Sequence, residues 1–418
     1  MIFKNITYYL FIFYWPLVMF NYLLLMSTKI NLTLLLVDAP LVLFVLKAYS
    51  ICAKNYSNLF ISIFSLFSLY VLLSGFAYCL NGTPPICYLK GIQYFFVPLT
   101  FAALGYSFSC NYDYYKLYLY SCATCFVIGF FLYTTLPPYY MEYLAEVQGF
   151  EGFSQDELMG AFRFSSFLPG SYNISFLSVP ALIMSLSLSS NSKSGMNRWL
   201  CYFIAAISFI AAIICQQRIA MFFAIVVVLF YSFYFFKHGN KKLLFVCVGI
   251  FILLIIAINL YLSEMELFDA LKDRIFDRFE KMDVSVAMSS RTGQYSGFSR
   301  ETWWSCMVGL GMGSCGHLVI PYGIQSINDG ELVKTFYEYG MFGTTLFAVL
   351  VIVTLLRGIK LFRFVHPEVL IMLFFLGASV GASALTFFIY NSMFWFSMGR
   401  IWNQNYLALR RQEMSKKL

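Results

Sequence analysis

Apolar runs long enough to cross a bilayer recur from one end of this chain to the other. A spanning helix needs about 20 mainly apolar residues. Runs of that kind predict helices at about 6–27, 31–52, 56–80, 91–110, 115–137, 171–189, 198–215, 219–236, 242–263, 333–357, 367–386 and 388–404. Only 11% of the 418 residues are charged, against about 25% in a soluble domain. The expected fold is therefore all-α: a polytopic transmembrane helix bundle of about 12 spans with a long, partly helical outer loop. A membrane β-barrel would show short alternating segments instead. The last two ranges form one apolar stretch, in which Gly377, Gly381 and Ser383 mark either a turn or close helix packing. The N-terminal MIFKN and the apolar run after it lack a small-residue cleavage site, so they read as a first helix that stays in place.

Lys and Arg set the expected orientation, because they accumulate in short cytoplasmic segments. With the N-terminus inside, sixteen of them fall on inner segments, and four (Lys29, Lys90, Arg163, Arg218) on short outer ones. Both termini are then cytoplasmic. The net charge of +8 sits in these short loops, so it is no nucleic-acid signal. The organisation expected is helices one to nine over 1–263 with an outer loop at 138–170, a second outer loop at 264–332, and three helices with a basic tail over 333–418. The two outer loops hold fifteen of the 20 acidic residues, which puts the expected chemistry on that side. Within the second loop, Leu267, Phe268, Leu271, Ile275, Phe279 and Met282 recur at helical spacing. This fits an amphipathic helix on the membrane face, or one packed on the rest of the loop.

The polar stretch from Arg291 to Gly343 is the main candidate site, since polar groups at a membrane face are costly. It holds Arg291, Arg300, the pair Trp303 and Trp304, the glycines of GLGMGSCG, then Asp329 and Glu338. Gly311, Gly313 and Gly316 match GxGxxG, but no strand or βαβ unit surrounds them. They point to a tight turn or a close backbone approach. Arg163 and Arg218 add two more outer guanidiniums. Each alone suits snorkelling. Four on separate segments suit an anion site, because guanidinium matches phosphate bidentately. Asp329 stands where a helix cap would, and also where a carboxylate could meet a substrate. Glu338, a turn or two inside the helix, is either paired or working. Trp303 and Trp304 suit sugar stacking or interface anchoring. Cys306 with Cys315, and Cys79 with Cys87, are candidate disulfides in an oxidising compartment. No metal or cofactor motif is present in the sequence.

In this order and on this side of the membrane, the residues resemble the O-antigen polymerase and O-antigen ligase-like family of bacterial polysaccharide assembly. The resemblance covers the topology of the whole chain. In motif it rests on Arg291 followed by Trp303 and Gly309-Leu310-Gly311-Met312-Gly313, on Asp329 ahead of Glu338-Tyr339-Gly340-Met341-Phe342-Gly343, on Arg163 with Pro169 and Asn173, and on Arg218. The ligase branch carries a His-Asn pair where this chain has Asp329-Gly330, which favours the polymerase branch. The resemblance implies glycosyl transfer from undecaprenyl diphosphate to an acceptor sugar on the outer face of the bacterial inner membrane, building O-antigen, capsule or exopolysaccharide. It implies Asp329, Arg291 and Arg218 as catalytic residues, with Arg163, Arg300, Glu338, Trp303 and Trp304 binding substrate. It implies no cofactor or metal, and as partners the bilayer, the lipid-linked oligosaccharide, a chain-length regulator and a flippase. The ligase reaction and lipid-linked glycan flipping are the alternatives.

Overall fold

A computed structural model describes residues 2–80, 84–108, 112–148, 164–189, 196–215, 217–237, 249, 303–315, 330–382, 384–385 and 389–415. All regular structure among them is helical. In chain order the helices are α1 (Ile2–Ile12), α2 (Tyr14–Thr28), α3 (Ala39–Lys54), α4 (Leu59–Leu80), α5 (Pro85–Gly91), α6 (Val97–Ser107), α7 (Asp113–Thr135) and α8 (Pro138–Gln148). They continue with α9 (Ser171–Ser189), α10 (Arg198–Ile214), α11 (Arg218–Lys237), α12 (Trp303–Val308), α13 (Glu331–Lys360), α14 (Phe362–Ala378), α15 (Ser392–Trp402) and α16 (Gln404–Ser415). Short π-helical turns lead into α3 and α6.

Among the described residues seven helical segments are long and apolar enough to cross a membrane, or eight if the bent pair α1–α2 counts as one span. The protein is thus an all-α membrane protein. The expected count of about twelve is not confirmed among the described residues. α10 and α14 have 17 residues each and α15 has 11, below the usual spanning length. The range 242–263, residue 249 apart, and the amphipathic stretch at 265–282 lie outside the described residues.

The chain forms two compact units. The first takes Met1–Tyr8, Ala39–Cys110 and Ser285–Leu418. Its centre is α15, all of whose residues are buried. Lipid tails are as apolar as leucine, so helices in a bilayer associate by close packing and polar bonds, not by a hydrophobic drive. α15 shows both. A Cβ on Gly399 would lie 2.0 Å from the Ala102 carbonyl oxygen, so α15 and α6 touch backbone to backbone. At the end of α6, Asn403 Nδ2 donates to the carbonyls of Gly105 (2.9 Å) and Phe108 (2.8 Å), meeting helix-end acceptors that lack an intrahelical donor. The fully buried Arg400 donates from Nη1 to the same Phe108 carbonyl at 3.2 Å. Its guanidinium lies 4.3 Å from the Tyr406 ring centroid.

Tyr406 Oη donates to Glu368 Oε1 at 2.6 Å, and Glu368 is completely buried. This bond ties α16 to the start of α14. Removing a donor from a buried carboxylate costs about 1–3 kcal/mol. Tyr406→Phe is therefore expected to lower the thermal unfolding midpoint of the detergent-purified protein. An unchanged midpoint would show that the bond adds nothing.

The second unit takes Tyr9–Asp38 and Asn111–Val284. It is built around α9, where Tyr172 alone is not buried. Serines crowd this helix, and Ser175, Ser178, Ser185 and Ser189 turn their hydroxyls back onto carbonyls three residues earlier. Pro180 lies within α9 and has no N–H to donate. Beside the carbonyl this leaves open, Tyr118 Oη donates to Leu177 O at 2.8 Å. The irregular segment 164–170 before α9 is held the same way. Tyr140 Oη donates to Ser166 O and Tyr143 Oη to Phe167 O, both at 2.9 Å. Burial pushes both phenols well above their ordinary range, so they remain protonated donors at physiological pH. Buried backbone outside a helix is tolerated where its polar groups are met in this way.

Candidate functional site

α13 has 30 residues but is not one straight helix, because Gly340 interrupts it at φ 60, ψ −169. Past Gly340, sixteen uncharged residues, Met341–Leu356, precede Arg357. At ~1.5 Å each they cover ~24 Å, most of the ~30 Å apolar layer. Gly340 therefore falls near one edge of that layer, and Glu331–Tyr339 form its rim.

A break in a helix frees the carbonyls of the preceding turn. Here each of the last three finds a donor from elsewhere. Leu310 N donates to Tyr337 O at 2.8 Å, and Gly311 N to Glu338 O at 2.8 Å. Tyr70 Oη, from α4, stands 3.0 Å from Tyr339 O and 2.7 Å from Val308 O. The two backbone donors come from a glycine turn, Gly309–Cys315, which follows the short helix α12. Gly309 (φ 84) and Gly340 press against each other: a Cβ on Gly309 would lie 2.4 Å from Gly340 N, and one on Gly340 2.4 Å from Gly309 N. The glycines singled out in the sequence thus make a tight turn, and the backbone they approach is that of α13.

Side chains complete the clamp. Cys315 N donates to Glu338 Oε1 at 3.3 Å. Glu331, Lys334 and Glu338 follow each other at spacings of three and four, so they share one face of the helix. All three are buried, and Lys334 lies within Coulombic range of both carboxylates. Glu338 accepts from Cys315 N and so holds the end of the turn. Lys334 is the residue that inspection of the sequence missed; the ELVKTFYE register carried the signal. Trp303 and Trp304 are 65% and 68% exposed, with ring centroids 4.7 Å apart in an edge-to-face pair. Cys306, Cys315 and Cys87 are not disulfide-bonded, so neither candidate disulfide is formed. Cys87 and Cys315 are buried instead, where cysteine acts as a small apolar side chain.

Arg300 and Asp329 flank this block in sequence, three residues before Trp303 and one before Gly330. Both, together with Arg291 and Arg163, lie outside the described residues. Arg218 is described: it opens α11 in the second unit and is exposed. The preceding Gln217 donates from Nε2 to Ser171 Oγ, at the head of α9, at 3.1 Å. No three His, Cys, Asp or Glu side chains among the described residues group so as to hold a metal ion.

The chain matches no protein-family model and no curated protein.

Proposed function

We propose that the protein is a membrane glycosyltransferase that polymerises lipid-linked oligosaccharide repeat units on the outer face of a bacterial inner membrane. The observation that carries this reading is the turn at 309–315 clamped onto the rim of α13. It fastens both described ends of the polar stretch, Trp303 and Gly330, to one helix head at the membrane edge. Arg291 and Arg300 precede that block in the chain, and Asp329 adjoins it.

In the proposed reaction an acceptor hydroxyl attacks the anomeric carbon of a glycan on undecaprenyl diphosphate. The new C–O bond forms as the bond to the diphosphate oxygen breaks, and undecaprenyl diphosphate leaves. Its charge develops in the transition state, where preset guanidiniums stabilise it. Arg291 takes this role, supported by Arg300; Arg218 and Arg163 are assigned to it by the sequence resemblance alone. The hydroxyl proton passes late to a carboxylate, for which Asp329 is the candidate. Glu338 maintains the turn beneath it, and the exposed Trp303 and Trp304 offer rings to the sugar.

The test is the surface polysaccharide of cells with and without the gene. Loss of polymer with single repeat units retained is the expected outcome. Loss of all surface glycan would point to ligation or flipping, and unchanged chain length would end the proposal.

A further inference from the structure

The end of α13 far from Gly340 gathers positive charge. From Thr344 to Gln412 the chain carries six Lys or Arg and a single acid, Glu368. That acid is buried against Tyr406. Four of the six bases are at least partly exposed near the junctions of α13, α14 and α16: Arg357 is half-buried, and Lys360, Arg363 and Arg411 are exposed. None of these four is ion-paired among the described residues.

Arg357 is held in place. Its Nε donates to Ile401 O at 3.2 Å, and its guanidinium lies 4.3 Å from the Trp402 ring centroid. Trp402 is fixed in turn, since its Nε1 donates to Thr354 Oγ1 at 3.1 Å. α16 is anchored to the head of α14, where Arg410 Nε donates to Phe364 O at 2.9 Å. The Arg411 guanidinium lies 5.8 Å from the Phe364 ring centroid, within Coulombic range of Arg357. Like charges so placed repel. Arginines that merely snorkelled could swing apart. A phosphate between these two converts the repulsion into two charge-assisted contacts.

The apolar neighbours indicate which phosphate. Ile352, Leu356 and Ile359 are 54%, 56% and 62% exposed. They stand four and three residues apart, so they form one stripe of α13. The stripe ends beside Lys360. A soluble anion or an acidic peptide would leave it uncovered. A phospholipid presents an acyl chain and a phosphate together.

We propose that the corner of α13, α14 and α16 is a docking surface for an anionic phospholipid. The phosphate sits between Arg357 and Arg411, Lys360 and Arg363 draw the negative headgroup, and an acyl chain follows the stripe. In the orientation expected from the sequence, this is the cytoplasmic leaflet. The surface does not depend on the polymerase reading, which concerns the other end of α13.

The test uses full-length protein in neutral detergent. Bound lipid is counted by native mass spectrometry as dioleoylphosphatidylglycerol or dioleoylphosphatidylcholine is added. Wild type is expected to prefer phosphatidylglycerol by about tenfold or more. Arg411→Gln and Lys360→Gln should each weaken phosphatidylglycerol about fivefold and leave phosphatidylcholine unchanged. Both side chains are exposed, so the fold should survive. Lys237→Gln removes an exposed charge from the second unit and should change binding by less than about twofold, because exposed charges act over only about a Debye length. The surface is refuted if wild type prefers neither lipid, if Arg411→Gln changes nothing, or if Lys237→Gln acts as strongly, since net charge alone would then explain the binding. Displacement of the lipid by inorganic phosphate would also refute it, and would mark a free-phosphate site instead. Polymer length independent of the gene would end the polymerase reading and leave this surface standing.

Discussion

Gly340→Ala is expected to release the glycine turn from α13. At φ 60, ψ −169 the backbone of Gly340 sits in a region that residues with a Cβ scarcely enter, and forcing one there costs about 1–3 kcal/mol. The added methyl would also meet Gly309 N at 2.4 Å. That atom is backbone, in a turn held by three donors, so it cannot step aside cheaply, and overpacking adds a further ~1–3 kcal/mol. Together these exceed what Leu310 N, Gly311 N and Tyr70 Oη recover by holding the carbonyls of residues 337–339. Cys315 supplies the readout. It is 4% exposed and not disulfide-bonded, so in wild type it should resist maleimide. In Gly340→Ala it should label readily, with a lowered thermal midpoint. A variant in which Cys315 stays protected and the midpoint holds would show that the clamp tolerates a side chain.

Arg291→Ala and Asp329→Ala are expected to abolish chain growth while the protein still inserts in the membrane. In the proposed reaction diphosphate leaves without protonation, so the largest demand is charge stabilisation. Removing one preset donor from such a site costs about 10²–10³ in rate. Polymer length depends on many successive transfers, so a loss of that size should leave single repeat units. The two variants differ in what they test. A free aspartate has a pKa of about 3.9, and a base suited to neutral pH would need it about 3 higher, near 4 kcal/mol of environment. Arginines gathered on the diphosphate, as proposed, would push the opposite way. Asp329→Asn separates the roles: residual polymer would mark Asp329 as an orienting group for the acceptor, and none would mark it as the base. Normal chain length in both alanine variants would place the chemistry elsewhere.

Helix positions were legible because membrane spans announce themselves by apolar length. The expected range 171–189 coincides with α9, and 333–357 lies inside α13. What hydropathy could not convey is which face meets lipid. Lipid and protein interiors are equally apolar, so α9 and α15 read like any other run, although both are almost wholly enclosed. The buried serines of α9 and the Gly399 contact of α15 were the available hints. In the candidate site, the turn chemistry of Gly309–Gly313 was readable. The break at Gly340 was not, since a lone glycine in a helical pattern usually stays helical. Its meaning depends on a partner backbone some thirty residues earlier and a tyrosine far upstream.

That distance has a consequence for biogenesis. The Tyr70 phenol waits for carbonyls that lie 238 and 269 residues farther along the chain. At about 5–20 residues per second, ribosomes need roughly 13–54 s to deliver the later one. During that interval α4 is already inserted with a phenol whose eventual acceptors do not yet exist, so this part of the protein matures only as synthesis closes.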